Sequence, residues 1–118
     1  MLGPYSPAVA AAGLIFVSSQ TGVDPATGAV PEGLFEYECR QAFRNLEQVL
    51  RAAHAEPADV VQTTLYYTDP ADLSVLNAVY VETFGSDRQP ARSAVMVGLA
   101  GGRRVAIAAI ATCRQSNH

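Results

Sequence analysis

The chain has 118 residues, 49% of them hydrophobic, and its eight arginines against eleven Asp and Glu leave a formal charge of -3. A chain of this length buries a sufficient core as one domain spanning residues 1–118, and a second domain does not fit. The arginines are scattered and the net charge is negative, which argues against a nucleic-acid surface, because affinity for phosphate backbones comes from clustered Lys and Arg.

Cys39 and Cys113 are far apart and have no CxxC partner, so neither a disulfide framework nor a zinc site is expected. Cys39 falls among the apolar positions of a helical pattern and reads as packing. No leader pattern opens the chain and no apolar run approaches the length that spans a membrane. The composition therefore reads as a soluble cytoplasmic protein without metal.

In chain order, Gly3-Pro4-Tyr5-Ser6-Pro7 is turn-like. Ala8-Val9-Ala10 then leads through Gly13 into Leu14-Ile15-Phe16-Val17-Ser18-Ser19, a buried strand, and the two segments read as a hairpin. From Thr21 to Gly33, Asp24-Pro25, Thr27-Gly28 and Pro31 punctuate a loop. Leu34, Phe35, Cys39, Ala42, Phe43, Leu46, Val49, Leu50 and Ala53 recur at helical spacing and predict an amphipathic helix from about Leu34 to Ala53. Glu36-Arg40 and Glu47-Arg51 form i,i+4 pairs on its wetter side.

Val60 to Tyr67 alternates β-branched and aromatic residues as a strand. Asp69-Pro70 supplies an N-cap and N1 for a second helix, whose buried stripe is Leu73, Leu76, Tyr80 and Phe84 and whose end is Gly85. Strands from Ser93 to Leu99 and Arg104 to Thr112 flank an Ala100-Gly101-Gly102 turn, with Arg103-Arg104 expected at a solvated hairpin tip. The order is ββαβαββ, an α+β domain with one mixed sheet. Leu14 and Phe16 oppose Ile15 and Val17, so that strand is apolar on both faces. Two helices cover only one face, and a second copy of the chain is expected to cover the other.

Arg92 stands at the mouth of the apolar run Gln89-Pro90-Ala91-Arg92-Ser93-Ala94-Val95-Met96-Val97. A guanidinium is always charged, so placing one there is costly unless an anion meets it, either a ligand or a carboxylate across a subunit interface. Period-2 counting puts Val95, Val97 and Leu99 on one face and Arg92, Ala94, Met96 and Gly98 on the other. If the bulky face packs on the helices, Arg92 points away from them, toward the subunit interface, into a rim of small side chains with room for a compact anion.

Gly3-Pro4-Tyr5-Ser6, Phe16-Val17-Ser18-Ser19-Gln20, Asp24-Pro25-Ala26-Thr27-Gly28, Asn77, Pro90-Ala91-Arg92-Ser93 and Val105-Ala106-Ile107 stand in the same order as in the RidA (YjgF/UK114) family, which the chain resembles over almost its whole length. The resemblance implies a chorismate-mutase-like α+β domain, expected as a mixed six-stranded sheet with two helices on one face, assembled as a homotrimer with clefts between subunits. It also implies hydrolysis of reactive enamines and imines, such as 2-aminoacrylate and 2-aminocrotonate, to 2-oxoacids and ammonia without a cofactor.

By position, Arg92 resembles the family arginine that grips the substrate carboxylate, and Tyr5 the tyrosine that lines the same cleft and bonds substrate or relays a proton. Arg92 and Tyr5 are thus the expected catalytic residues, and Arg92, Ser18 and Asn77 the expected substrate contacts. The partner implied is a small 2-imino or 2-oxo carboxylic acid, with neither nucleic acid nor membrane.

Two positions depart from the family pattern. Ala106 stands where many family deaminases carry a glutamate, and Ala94 where a cysteine is common. A positioned acid-base group typically contributes roughly two to four powers of ten in rate. The alternative reading is therefore a non-catalytic trimer that binds small carboxylates or partner proteins. Endoribonuclease activity has no support in the charge balance, and His54 and His118 read as structural or solvent-facing.

Overall fold

A computed structural model describes residues 6–113 of the chain. In order these form β1 (Ala8–Ala11), β2 (Leu14–Thr21), α1 (Phe35–Ala52), β3 (Val60–Tyr67), α2 (Leu73–Phe84), β4 (Ala91–Met96) and β5 (Val105–Thr112). Ala12 and Gly13, both at positive φ, make the two-residue turn between β1 and β2, a backbone that matches the twist of a tight hairpin. The α1 helix is flanked by Leu34 and Ala53 as caps, and β3 runs over the expected Val60 to Tyr67. The Asp69 carboxylate caps a 3-10 turn, Pro70–Asp72, which feeds α2, and Gly85 at φ 77 ends that helix.

The sheet order is β1-β2-β5-β3-β4, antiparallel throughout except for the parallel β3/β4 pair. Among the described residues the sheet thus has five strands rather than six, because only five segments carry a strand pattern. Ile15, Val17, Leu65, Val105 and Ile107 face the helices and pack with Cys39, Phe43, Leu46, Leu50, Leu76 and Tyr80 in one core. Burial pushes the Cys39 thiol up to about 12, so it stays protonated and inert near neutrality, as a packing residue should. Gly22 lets the chain leaving β2 pass α1, since a Cβ there would clash with the Glu38 carbonyl oxygen.

The opposite face carries Val9, Phe16 and Val95, which are 53%, 42% and 40% exposed. Val9 pairs with Phe16 and Phe16 with Ile110, so an apolar row crosses β1, β2 and β5 on the face without helices.

Two expectations are corrected. The β4 and β5 strands do not form a hairpin: they flank β3 on opposite sides, and their connection crosses it. Arg104 consequently lies not at a solvated tip but over α1, where its Nε donates to the fully buried Glu38 carboxylate at 2.7 Å. Arg103 donates to the Thr21 hydroxyl at 3.2 Å.

The second correction concerns Arg92. In the parallel β3/β4 register Thr63 pairs with Arg92 and Leu65 with Ala94, and Thr63 and Leu65 are buried under the helices. Arg92 therefore shares the helix-side face. The alternation holds from Arg92 to Met96, where the strand ends short of the expected Leu99, and bulk did not choose the face, because β4 is an edge strand exposed along all six residues.

Candidate functional site

Two elements bring the Arg92 site together. The start of β4 presents the guanidinium, and α2 runs beside it with Asn77 and Tyr80 on one face, three residues apart. Arg92 Nη2 donates to Asn77 Oδ1 at 2.5 Å, and its Cζ lies 4.9 Å from the centroid of the Tyr80 ring. Below the ring, the Tyr80 hydroxyl and Thr63 Oγ1 share a hydrogen bond of 2.9 Å. Arg92 and Asn77, expected to act in one site, are thus in direct contact.

No carboxylate among the described residues pairs with Arg92. Its neighbours are a neutral amide oxygen and the face of an aromatic ring, which hold a guanidinium in place without neutralising it. The remaining N–H donors form a fork suited to a planar anion, and a carboxylate matches it with two parallel bonds.

Ser18 is elsewhere. It lies on β2, separated from Arg92 by β5 and β3, which amounts to three strand spacings or about 14 Å. Its hydroxyl donates to the Ser6 carbonyl at 2.7 Å, and its backbone N–H donates to the Pro7 carbonyl. With Asn45, Gln48, Val49 and Arg103 it lines an open cavity of about 1040 Å³ between the end of β2 and the second half of α1. That cavity does not contain Arg92. Tyr5 lies outside the described residues, as does His118, and His54 is exposed just past α1.

Ala106 is buried on β5, on the face away from the helices, between Thr21 of β2 and Tyr66 of β3. Ala94 follows Arg92 on its own face. Among the described residues no acidic, histidine or cysteine cluster is fit to hold a metal ion, and no helix is long and apolar enough to cross a membrane.

Reading the sequence missed two residues here. Tyr80 appeared only as part of a buried stripe, although its three-residue spacing from Asn77 signalled a shared face. Glu38 gave no signal of its own, because an acidic residue in the first turns of an amphipathic helix ordinarily faces water.

The family model described as Endoribonuclease L-PSP matches residues 1–113. The chain is 42% identical over 112 residues to the 2-iminobutanoate/2-iminopropanoate deaminase of Mus musculus, covering 93% of this chain and 82% of that protein. Its fold superposes on the crystal structure of RidA from the Antarctic bacterium Psychrobacter with a TM-score of 0.89 at 37% identity, covering 95% of this chain and 90% of that one. TdcF of E. coli with bound serine gives a TM-score of 0.87 at 30% identity, again over 95% and 90%. With the α+β order, the five-stranded mixed sheet and the Arg92–Asn77 pair in place, this chain belongs to the endoribonuclease L-PSP family, the RidA (YjgF/UK114) family that its sequence resembles.

Proposed function

We propose that the protein hydrolyses reactive enamines and imines of small amino acids to 2-oxoacids and ammonia, in clefts between the subunits of a homotrimer. The observation that carries this reading is the Arg92 guanidinium, held by Asn77 and Tyr80 and met by no carboxylate among the described residues. Relatives named as imine deaminases and a related structure with a bound amino acid support a small carboxylate as the occupant.

The chemistry asks little of the protein. An enamine accepts a proton at carbon and releases one from nitrogen to become an imine. Water then adds to the imine carbon, a proton passes to nitrogen, and the carbinolamine expels ammonia as the carbonyl forms. Arg92 grips the carboxylate and so fixes the imine carbon, which makes attack by a neighbouring water effectively intramolecular. Asn77 holds Arg92, and Tyr5 is assigned to bond the substrate or relay the proton. Ser18 reaches the same substrate only from a neighbouring copy, given the two strands between it and Arg92.

The same geometry argues for the assembly. The exposed row of Val9 and Phe16, with Val95 on the same face, suits coverage by a second copy. Sedimentation is expected to return three times the chain mass of 12.5 kDa. A stable monomer would remove both the cover for that face and the means of joining Ser18 to Arg92.

A second reading is favoured by Ala106 and Ala94: a trimer that binds small carboxylates without turning them over. The deciding experiment follows 2-oxoacid release from freshly generated 2-aminoacrylate with and without the protein. Acceleration over the buffer rate supports the deaminase. Binding of pyruvate with no acceleration supports the binding protein.

A further inference from the structure

The β4 strand does not confine its own arginine. Ala91, Ser93 and Ala94 are small, and the whole strand is exposed, so a free Arg92 side chain would sample many rotamers. Confinement comes instead from beneath. Tyr80 is 1% exposed and Thr63 is 0% exposed, and their hydroxyls bond each other at 2.9 Å. The Tyr80 ring is also wedged edge-on against Phe43, at 6.2 Å and 89°, and tilted against Phe84 at 4.7 Å. A ring anchored at its hydroxyl and packed against two others cannot turn, so the face it offers Arg92 has one orientation.

Thr63 closes the circuit. It is the residue paired with Arg92 across the β3/β4 register, so the strand pairing that places the arginine also places the anchor of the ring beneath it. The ring face restrains the guanidinium from below, while Asn77 accepts from Nη2 and fixes its rotation over that face. We propose that Tyr80, locked by Thr63, is the positioning residue that aims the Arg92 guanidinium at the substrate carboxylate. The assignment rests on the proposed role of Arg92 as carboxylate anchor and adds the device that holds the anchor in its productive direction.

A merely structural Tyr80 and a positioning Tyr80 differ in what they move. Tyr80→Phe keeps the ring face but removes the hydroxyl that Thr63 holds and is expected to weaken pyruvate affinity and raise KM by about two- to threefold, whereas Tyr80→Leu removes the face itself and is expected to weaken both by about fivefold, the size of a solvent-exposed cation–π contact. The wild-type protein supplies an independent reading. The Arg92 side-chain protons should be shifted upfield in its NMR spectrum by the ring current of Tyr80. That shift should persist in Tyr80→Phe and vanish in Tyr80→Leu.

If wild type binds pyruvate, and Tyr80→Leu binds it equally well or wild-type Arg92 shows no ring-current shift, the Tyr80 assignment falls and the deaminase reading stands. If wild type neither binds pyruvate nor accelerates hydrolysis, the anchor role falls and takes this assignment with it.

Discussion

Replacing Arg92 by alanine should lower kcat/KM for 2-aminoacrylate at least a hundredfold, a loss of about 3 kcal/mol, typical for one partner of a hydrogen-bonded charge pair. The substrate carboxylate would then meet only the neutral Asn77 amide and the Tyr80 ring. Arg92→Lys keeps the charge but not the planar fork, so it should recover part of the rate and stay about tenfold below wild type. Arg92 lies at an exposed edge and belongs to no ion pair among the described residues, so neither change should alter thermal stability appreciably. Steady-state kinetics beside a melting curve checks both halves of the expectation. An Arg92→Ala variant as active as wild type would remove the guanidinium from the mechanism, whatever the protein turns over.

The second large effect concerns stability. Glu38 is fully buried on α1 and accepts 2.7 Å bonds from the backbone N–H and from Nε of Arg104, while Arg104 also donates to the Gly33 carbonyl and lies over Phe35. This cluster fastens the start of β5 to the first turns of α1 and to the loop before it. Arg104→Met leaves a buried carboxylate facing one backbone N–H, and removing one member of a buried pair typically costs about 3 kcal/mol or more. For a chain of this length that corresponds to a fall of roughly 12 °C in Tm.

The reverse change, Glu38→Leu, should cost less. The Arg104 side chain is 34% exposed and can turn toward water, whereas the carboxylate has no such exit. The double variant should therefore be more stable than Arg104→Met alone, and the non-additivity measures the coupling. Melting curves at matched protein concentration are the check, since an oligomer's Tm depends on concentration. A fall of less than about 3 °C for Arg104→Met would mean that the carboxylate is solvated or protonated at little cost.

Much of the fold was legible in the residues taken alone. The 3.6-residue stripe from Phe35 to Leu50, the β-branched alternation of Val60 to Tyr67, Asp69-Pro70 at a helix start and Gly85 at its end are local signals. Each acts through its own backbone or through neighbours within a turn. Arg92 stood out in the sequence as a lone guanidinium beside an apolar run, although on an exposed edge strand the cost expected of burying it does not arise. Asn77 was legible only through the family resemblance.

Tertiary structure decided everything that depended on which strands are neighbours. Val97 to Arg104 is short enough to suggest a hairpin, but local sequence cannot tell a turn that joins adjacent strands from one that carries the chain across a third. The chain crosses β3, and Arg104 accordingly reaches the buried Glu38 instead of solvent. The face occupied by Arg92 followed the parallel register with Thr63 rather than side-chain bulk, because a strand exposed along its length has no core to choose a face. Side-chain alternation is a property of one backbone and was readable from it. Which face meets α2, and so which ring lies beneath the arginine, is a property of contacts between residues distant in sequence, and only the assembled sheet and helix determine it.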